Sequence, residues 1–413
     1  MRFIIFILFL IANFQAYAVD HDQVLQKVIE IYQLKKSSCD VNTALINKNL
    51  IPLGKLLFES KILSGSGDTS CATCHIDKHS LADALPMSVG VGGSGEGHER
   101  LNSNGIVVAR NAFTLFGRST ADFNTFFWDG MVQEIEGKIV SPIGNGYTYG
   151  FKSPLSVAAI MPLLARDEFL GERRLLFNNQ HIESIDDQYY FDRFLATNQI
   201  IRSIPLSSNS PDLGVLNHEL KLIGVDTLSL PLVGNALASF ITQKTLTECE
   251  PSDWDHYLAG DLRAISATQK EGATIFFGKG RCSGCHNGAL YTDFGFHSLG
   301  VPQGELGPYL HRQDIGRATV TFDLDDRYRF RTPPLIRVSQ TEPYGHSGAF
   351  SSLEEVVLFH INPIPFFEKY GWTSEREELT YGRILSTRSE ILGFIDISSN
   401  EELSSVVEFL KAL

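Results

Sequence analysis

Several things are scarce in this sequence. Of its 413 residues only 6 are Cys, 4 are Met and 3 are Trp. No run of Lys and Arg occurs, and the formal net charge is −13. Both facts argue against nucleic acid as a partner, since phosphate binding needs clustered cations. Long apolar runs are missing too. One short run, residues 3–12, lies near the start, and no later stretch is apolar enough to cross a bilayer. Strict apolar/polar alternation, the mark of half-buried strands, is rare. With 43% hydrophobic and 20% charged residues, the composition is that of a globular chain long enough for two or three domains.

The start, "MRFIIFILFLIANFQAYAVD", places Arg2 before the apolar run and Ala-Tyr-Ala at 16–18. A basic residue, an apolar stretch and a small-x-small end form a signal peptide, here 1–18, cleaved after Ala18. The expected mature chain is periplasmic; the alternatives are an uncleaved anchor and a buried N-terminal helix. In an oxidising compartment Cys39 and Cys249 either join as a disulfide or remain two unpaired buried thiols.

The other cysteines fall into two strings, "SCATCH" at 70–75 and "RCSGCH" at 281–286. The surroundings repeat as well. Gly54 and Phe58 precede the first string as Gly272 and Phe276 precede the second, and Asp83 and Asp293 follow. A Gly and a Phe four apart share one helix face, where Gly allows another element to approach closely. Further helices are expected over 153–161 with Pro154 in the first turn, over 230–243, after Ser352 with Glu355 as a capping box, and over the last fifteen residues. Ser266 and Gln269 form another such box. The fold class is therefore mainly α, with little strand and Gly-rich loops such as "VGVGGSGEG" between elements.

Two thiols at this spacing can add to the two vinyl groups of a haem, and the following histidine can then bind the iron. Cys71, Cys74 and His75 thus make one covalent c-type haem site, and Cys282, Cys285 and His286 make the other. Zinc sites and redox dithiols are the competing readings, but neither calls for histidine at the fifth position twice. His360 is a candidate sixth ligand, because Leu353, Val356, Val357 and His360 share the apolar face of one helix.

Taken together, "LGKLLF…LSGSGDTSCATCH", "LPMSVGVGG", "ARNAFTL", "FFWDG", "FFGKGRCSGCH", "FRTPPL" and "TEPYGHSGAFSSLEEVV" resemble the bacterial di-haem cytochrome c peroxidase family, which includes MauG. The resemblance covers nearly the whole mature chain. It implies two cytochrome c-like domains, 19–225 and 226–413, packed face to face with one haem each. It implies peroxide chemistry at the N-terminal haem and electron transfer through the C-terminal haem, with Trp128 between them. It also implies His360 as sixth ligand where family peroxidases usually carry Met and MauG carries Tyr. Histidine there should lower the haem's potential relative to Met. Asn111, Thr341 and Pro343 match the family's calcium site, and their oxygens suit that ion.

The family's distal Glu, six residues after a Pro, corresponds to Glu168 after Pro162; a rival register through Pro142 puts Thr148 there instead. The family Gln before that Pro is Ala158 here. Some members gate the first haem with a removable His, for which only His79 and His98 are available. Three functions follow. One is a peroxidase fed by a small exported cytochrome c or cupredoxin. Another is a MauG-like oxidase that modifies a Trp or Tyr of a partner protein, and the third is a non-catalytic electron carrier. Family members are often homodimers.

Overall fold

The computed structural model describes residues 20–36, 39–171, 190–204, 206, 210–303, 313–370 and 375–413. The expected signal peptide lies outside them. Among the described residues helices dominate, and no helix is long and apolar enough to cross a membrane.

The local signals act as expected. Ser153 caps Pro154–Ala158 in a reciprocal box with Ser156, and Ser266 does the same with Gln269 for Ala267–Phe277. Ser352 caps Leu353–Ile361, but the Glu355 carboxylate reaches Ser351 rather than closing a box on Ser352. The helix expected at 230–243 runs over Leu230–Thr247, and the chain ends in Asn400–Lys411.

Strands are few and short. Thr125–Phe126, Val132–Ile135 and Lys138–Val140 form an antiparallel sheet, and Phe296–His297 pairs with Phe330–Arg331. The first sheet holds part of the segment that the Glu168 register treats as an insertion after Trp128. Glu136 and Gly137, both at positive φ, turn the hairpin with the twist a two-residue loop needs.

The apolar side chains gather into two main cores. The first is built on Leu53, Leu57 and Phe58 from helix Ile51–Glu59, packed against Leu230–Thr247, on which Pro154–Ala158 also packs. The second is built on Phe276 and Phe277, packed against Phe409 and Val406 of the terminal helix. Each fully buried Leu or Phe contributes about 1.5–3 kcal/mol.

The paired glycines do in both cores what their spacing suggests. A Cβ on Gly54 would lie 2.1 Å from the Ala236 carbonyl oxygen, and one on Gly272 would lie 1.8 Å from that of Ser405. Backbone meets backbone at both places, and only hydrogen fits.

The cores do not divide at 225/226. Leu230–Thr247 belongs to the first core, although it lies after that boundary. Helix His21–Tyr32, from the start of the chain, packs through Leu25 on the second. Apolar burial sets this division, and it crosses the sequence order. Cys39 and Cys249 form a disulfide that ties the incoming chain to the end of Leu230–Thr247.

Candidate functional site: two CxxCH centres and the groups facing them

The first string forms the short helix Cys71–Cys74, with a capping box between Ser70 and Thr73. His75 follows as its C-cap, and its Nδ1 lies 2.8 Å from the Leu81 carbonyl oxygen. The second string is a 3₁₀ turn, Cys282–Gly284, and His286 Nδ1 lies 3.0 Å from the Tyr291 carbonyl oxygen. His360 repeats the arrangement, with Nδ1 2.7 Å from the Val356 carbonyl oxygen. A carbonyl can only accept, so each Nδ1 carries the proton and each Nε2 is left as a lone-pair donor. That is the tautomer iron ligation needs. Burial, then the facing His360 ring, holds His286 down at about 4. Burial likewise lowers His75 and His360.

The four cysteines of the strings form no disulfide. Burial pushes Cys71 and Cys282 up to about 12, and raises Cys74 as well. Zinc sites and redox dithiols need thiolates, favoured by lowered values. These thiols suit uncharged thioethers instead. Cys285 also meets Asp293 and His297 within 4.8 Å, a grouping that loses its thiol once Cys285 is alkylated by a vinyl group.

A largely apolar cavity of about 220 Å³ lies over the second centre. Cys282, Cys285 and His286 line one part of it, and Leu353, Val356, Val357 and His360 line another. The helix face read from the sequence is therefore the face that meets this cavity.

Two arginines that sequence spacing does not single out also line the cavity. Arg118 and Arg331 are both almost fully buried and repel one another. Arg118 Nη1 has no hydrogen-bond partner among the described residues. Unpaired buried guanidinium is costly, and an anion beside it removes the cost. A haem, apolar in its ring and anionic in its propionates, fits this donor set. Both arginines sat in view, in "TLFGRS" and "FRTPPL", but a lone Arg in sequence gives no sign that it is buried.

Glu168 sits in the π-helical turn Arg166–Leu170. Flanking loops hold that turn by its backbone: Gly65 N donates to Phe169 O at 2.7 Å, and Val91 N donates to Asp167 O at 2.9 Å. The Glu168 charge raises both Cys71 and Cys74, which places it beside the first centre. Burial, and then Asp167, raises the proton affinity of Glu168 itself well above that of an ordinary glutamate. Thr148 ends an exposed turn, where its hydroxyl donates to Asn145 O. His98 is exposed and His79 partly buried.

Trp128 is buried where the two halves meet. Its Nε1 donates to Asn111 O at 3.0 Å, its carbonyl accepts from Arg331 N at 2.7 Å, and its ring lies 6.5 Å from His346. Phe127, just before it, has φ 67°, a costly value for a bulky residue, and Arg331 Nε donates to its carbonyl. Nearby, Arg110 pairs with Asp129 at 2.6 Å and Asp314 at 2.7 Å, joining the halves. Asn111, Thr341 and Pro343 line the same cavity, and Asn111 Nδ2 donates to Leu85 O.

Two CxxCH turns with oriented imidazoles, in a mainly helical frame, define a c-type protein with two haems. Residues 48–204 match the model of the family described as di-haem cytochrome c peroxidase. Cytochrome c551 peroxidase of Pseudomonas aeruginosa is 29% identical over 306 residues, covering 74% of this chain and 69% of its own. Methylamine utilization protein MauG of Methylorubrum extorquens is 29% identical over 311 residues, covering 75% and 68%. Cytochrome-c peroxidase IdrP2 of Denitromonas iodatirespirans is 25% identical over 386 residues, covering 88% and 85%. In fold, the chain resembles the diheme peroxidase BthA of Burkholderia thailandensis, with a TM-score of 0.59 at 17% identity over 92% of this chain and 91% of the other. Over residues 48–204 the chain is thus similar to the di-haem cytochrome c peroxidase family, and its curated relatives carry the names cytochrome c peroxidase and MauG.

Proposed function

We propose that the chain is an exported di-haem peroxidase that reduces hydrogen peroxide at the first centre with electrons relayed through the second. The observation that carries this reading is the unlike pair of groups at the two centres. A carboxyl of raised proton affinity, Glu168, stands beside the first, and an imidazole with a free Nε2, His360, shares the cavity of the second.

When bound, the haems supply the iron at which peroxide is reduced and the reservoir from which electrons come. The protein's part is positioning and proton handling. Cys71, Cys74 and His75 hold the first haem; Cys282, Cys285, His286 and His360 hold the second. The Leu81 and Tyr291 carbonyls fix the two proximal rings. Glu168 takes a proton from one peroxide oxygen and returns it to the other, easing departure of water; such groups contribute about 10²–10⁴-fold. Trp128, buried between the halves, bridges the centres for electrons. The electron donor is a small exported cytochrome c or cupredoxin. The Cys39–Cys249 disulfide supports an oxidising compartment such as the periplasm, as does covalent haem attachment. Asn111, Thr341 and Pro343 offer oxygen only, which suits calcium, and with no carboxylate among them they would hold it weakly.

A second reading, a MauG-like oxidase of a partner's Trp or Tyr, draws support from His360, since histidine ligation helps the second haem hold an oxidised state. Stopped-flow absorbance of the ferric, haem-loaded protein with one equivalent of peroxide separates these readings. Turnover that needs an added electron and continues with reduced cytochrome c supports the peroxidase. A long-lived oxidised spectrum without reductant supports the oxidase. No reaction under either condition leaves an electron carrier.

A further inference from the structure

The second core contains an oxidisable cluster that the peroxide chemistry above does not use. Trp254, 1% exposed, lies in helix Asp253–Leu258. Its Nε1 donates to the Tyr291 hydroxyl at 2.5 Å, while the Tyr291 carbonyl holds His286 Nδ1 at 3.0 Å. One residue thus joins the indole to the imidazole of the second centre. The indole also stacks on Tyr257, with ring centres 5.1 Å apart and planes 12° from parallel, and meets the Phe409 ring edge-on at 5.0 Å. From Tyr257 the path continues outward: its hydroxyl donates to Asp22 at 2.8 Å, and Lys270 Nζ lies 5.7 Å from its ring centre.

We propose that Trp254 is a reserve one-electron donor to the second haem, holding an oxidising equivalent when external electrons run short; this rests on the peroxidase reading. Reduction of one hydrogen peroxide to two waters takes up two electrons and two protons. Without an external donor, a haem iron gives one electron and the indole π system of Trp254 gives the other, while solvent supplies the protons. The indole becomes a cation radical and keeps its Nε1 proton. An electron from the exported donor later restores it.

Three features favour that cation, and a fourth protects it from solvent. The stacked Tyr257 ring shares its charge, and aromatic faces attract cations. The Nε1–H to Tyr291 bond strengthens once its donor is charged. The Asp255 carboxylate lies within electrostatic reach of Tyr291. Burial keeps water from the ring.

The test is freeze-quench electron paramagnetic resonance on the haem-loaded protein mixed with one equivalent of peroxide and no donor, with peroxide consumption followed in the same mixture. Ring-deuterated tryptophan should narrow the radical signal, and Trp254→Phe should abolish it. Peptide mass spectrometry of the unmutated chain after repeated additions should find oxidation concentrated at Trp254 rather than Trp128 or Trp372, a readout that does not depend on the variant folding. Tyr291→Phe should keep the radical and shorten its life. Peroxide consumed with no Trp254-dependent signal and no oxidation at Trp254 overturns the proposal and leaves the peroxidase reading standing. No peroxide consumed, with or without donor, overturns both.

Discussion

The two halves use one plan twice and differ at one position. In both, a helix with Gly at the crossing presses its backbone on a partner helix, a CxxCH turn follows, and a carbonyl five or six residues beyond the histidine fixes its ring. An Asp then holds the next loop: Asp83 accepts from Leu85 N, and Asp293 from Gly295 N. The halves part company over what else comes near the centre. The first receives Glu168 on a loop held at its backbone; the second receives His360 on a regular helix. A shared scaffold thus carries both CxxCH strings, and a single group brought in from outside each repeat, Glu168 or His360, makes the two centres unlike.

The comparison breaks most severely at Glu168. Glu168→Gln should lower peroxide reduction by about 10²–10⁴-fold while haem content stays unchanged. Stability should move the other way. The folded-state value of Glu168 is raised, so the folded chain binds its proton more tightly than the unfolded chain does. Stability is then lost as pH rises through the ordinary glutamate range towards that raised value. The Gln variant lacks this loss, and should unfold at equal or higher denaturant concentration at pH 8. A variant that loses activity through misfolding would instead unfold earlier.

His360→Met tests the other half. Redox titration should show the second haem's potential rising by part of the roughly 0.8 V that axial ligands span, with the first haem unmoved. Equal shifts in both would deny that His360 belongs to the second centre.

Removing the disulfide with Cys39→Ser should cost about 2–5 kcal/mol, read as a lowered denaturation midpoint. It loads the first half, because Cys249 packs against that core. Gly54→Ala and Gly272→Ala should each cost about 1–3 kcal/mol or more, since the added methyl meets a carbonyl oxygen that cannot withdraw. If only one proves costly, the equivalence of the two crossings fails.

The smallest effect concerns the seam. The Arg110 guanidinium holds the Asp314 carboxyl well below the usual carboxylate range, against the opposing effect of burial. A lowered value means the stabilisation is present above the unfolded-state value near 4 and fades as pH falls below it. Asp314→Asn should therefore destabilise the protein at pH 7 and matter progressively less in acid melts.

The sequence revealed whatever depends on neighbours along the chain. The two CxxCH turns, the helix caps at Ser153 and Ser266, and the apolar face carrying His360 all follow from spacing. It also pointed to the two glycines, whose four-residue distance from Phe58 and Phe276 carries the packing meaning. What it hid depends on distance in space. Arg118 and Arg331 read as ordinary charges until the fold buries them together. Arg110 gave no hint of Asp314, some two hundred residues away. Trp254 and Tyr291 meet only because the second core brings them to one point. Which core takes Leu230–Thr247 is hidden for the same reason, since no local signal shows it.

That crossed assignment has a consequence for synthesis. Helix His21–Tyr32 is made early, yet its apolar face packs on Ala267–Phe277, which is made much later. The first core is likewise unfinished until the helix ending at Thr247 has been made. Neither core can be completed by translating up to a midpoint, and helix His21–Tyr32 waits for its seat until Ala267–Phe277 has been made. A chain cut in the middle should yield two sticky fragments rather than two working modules, whereas the fragments mixed together should recover each other.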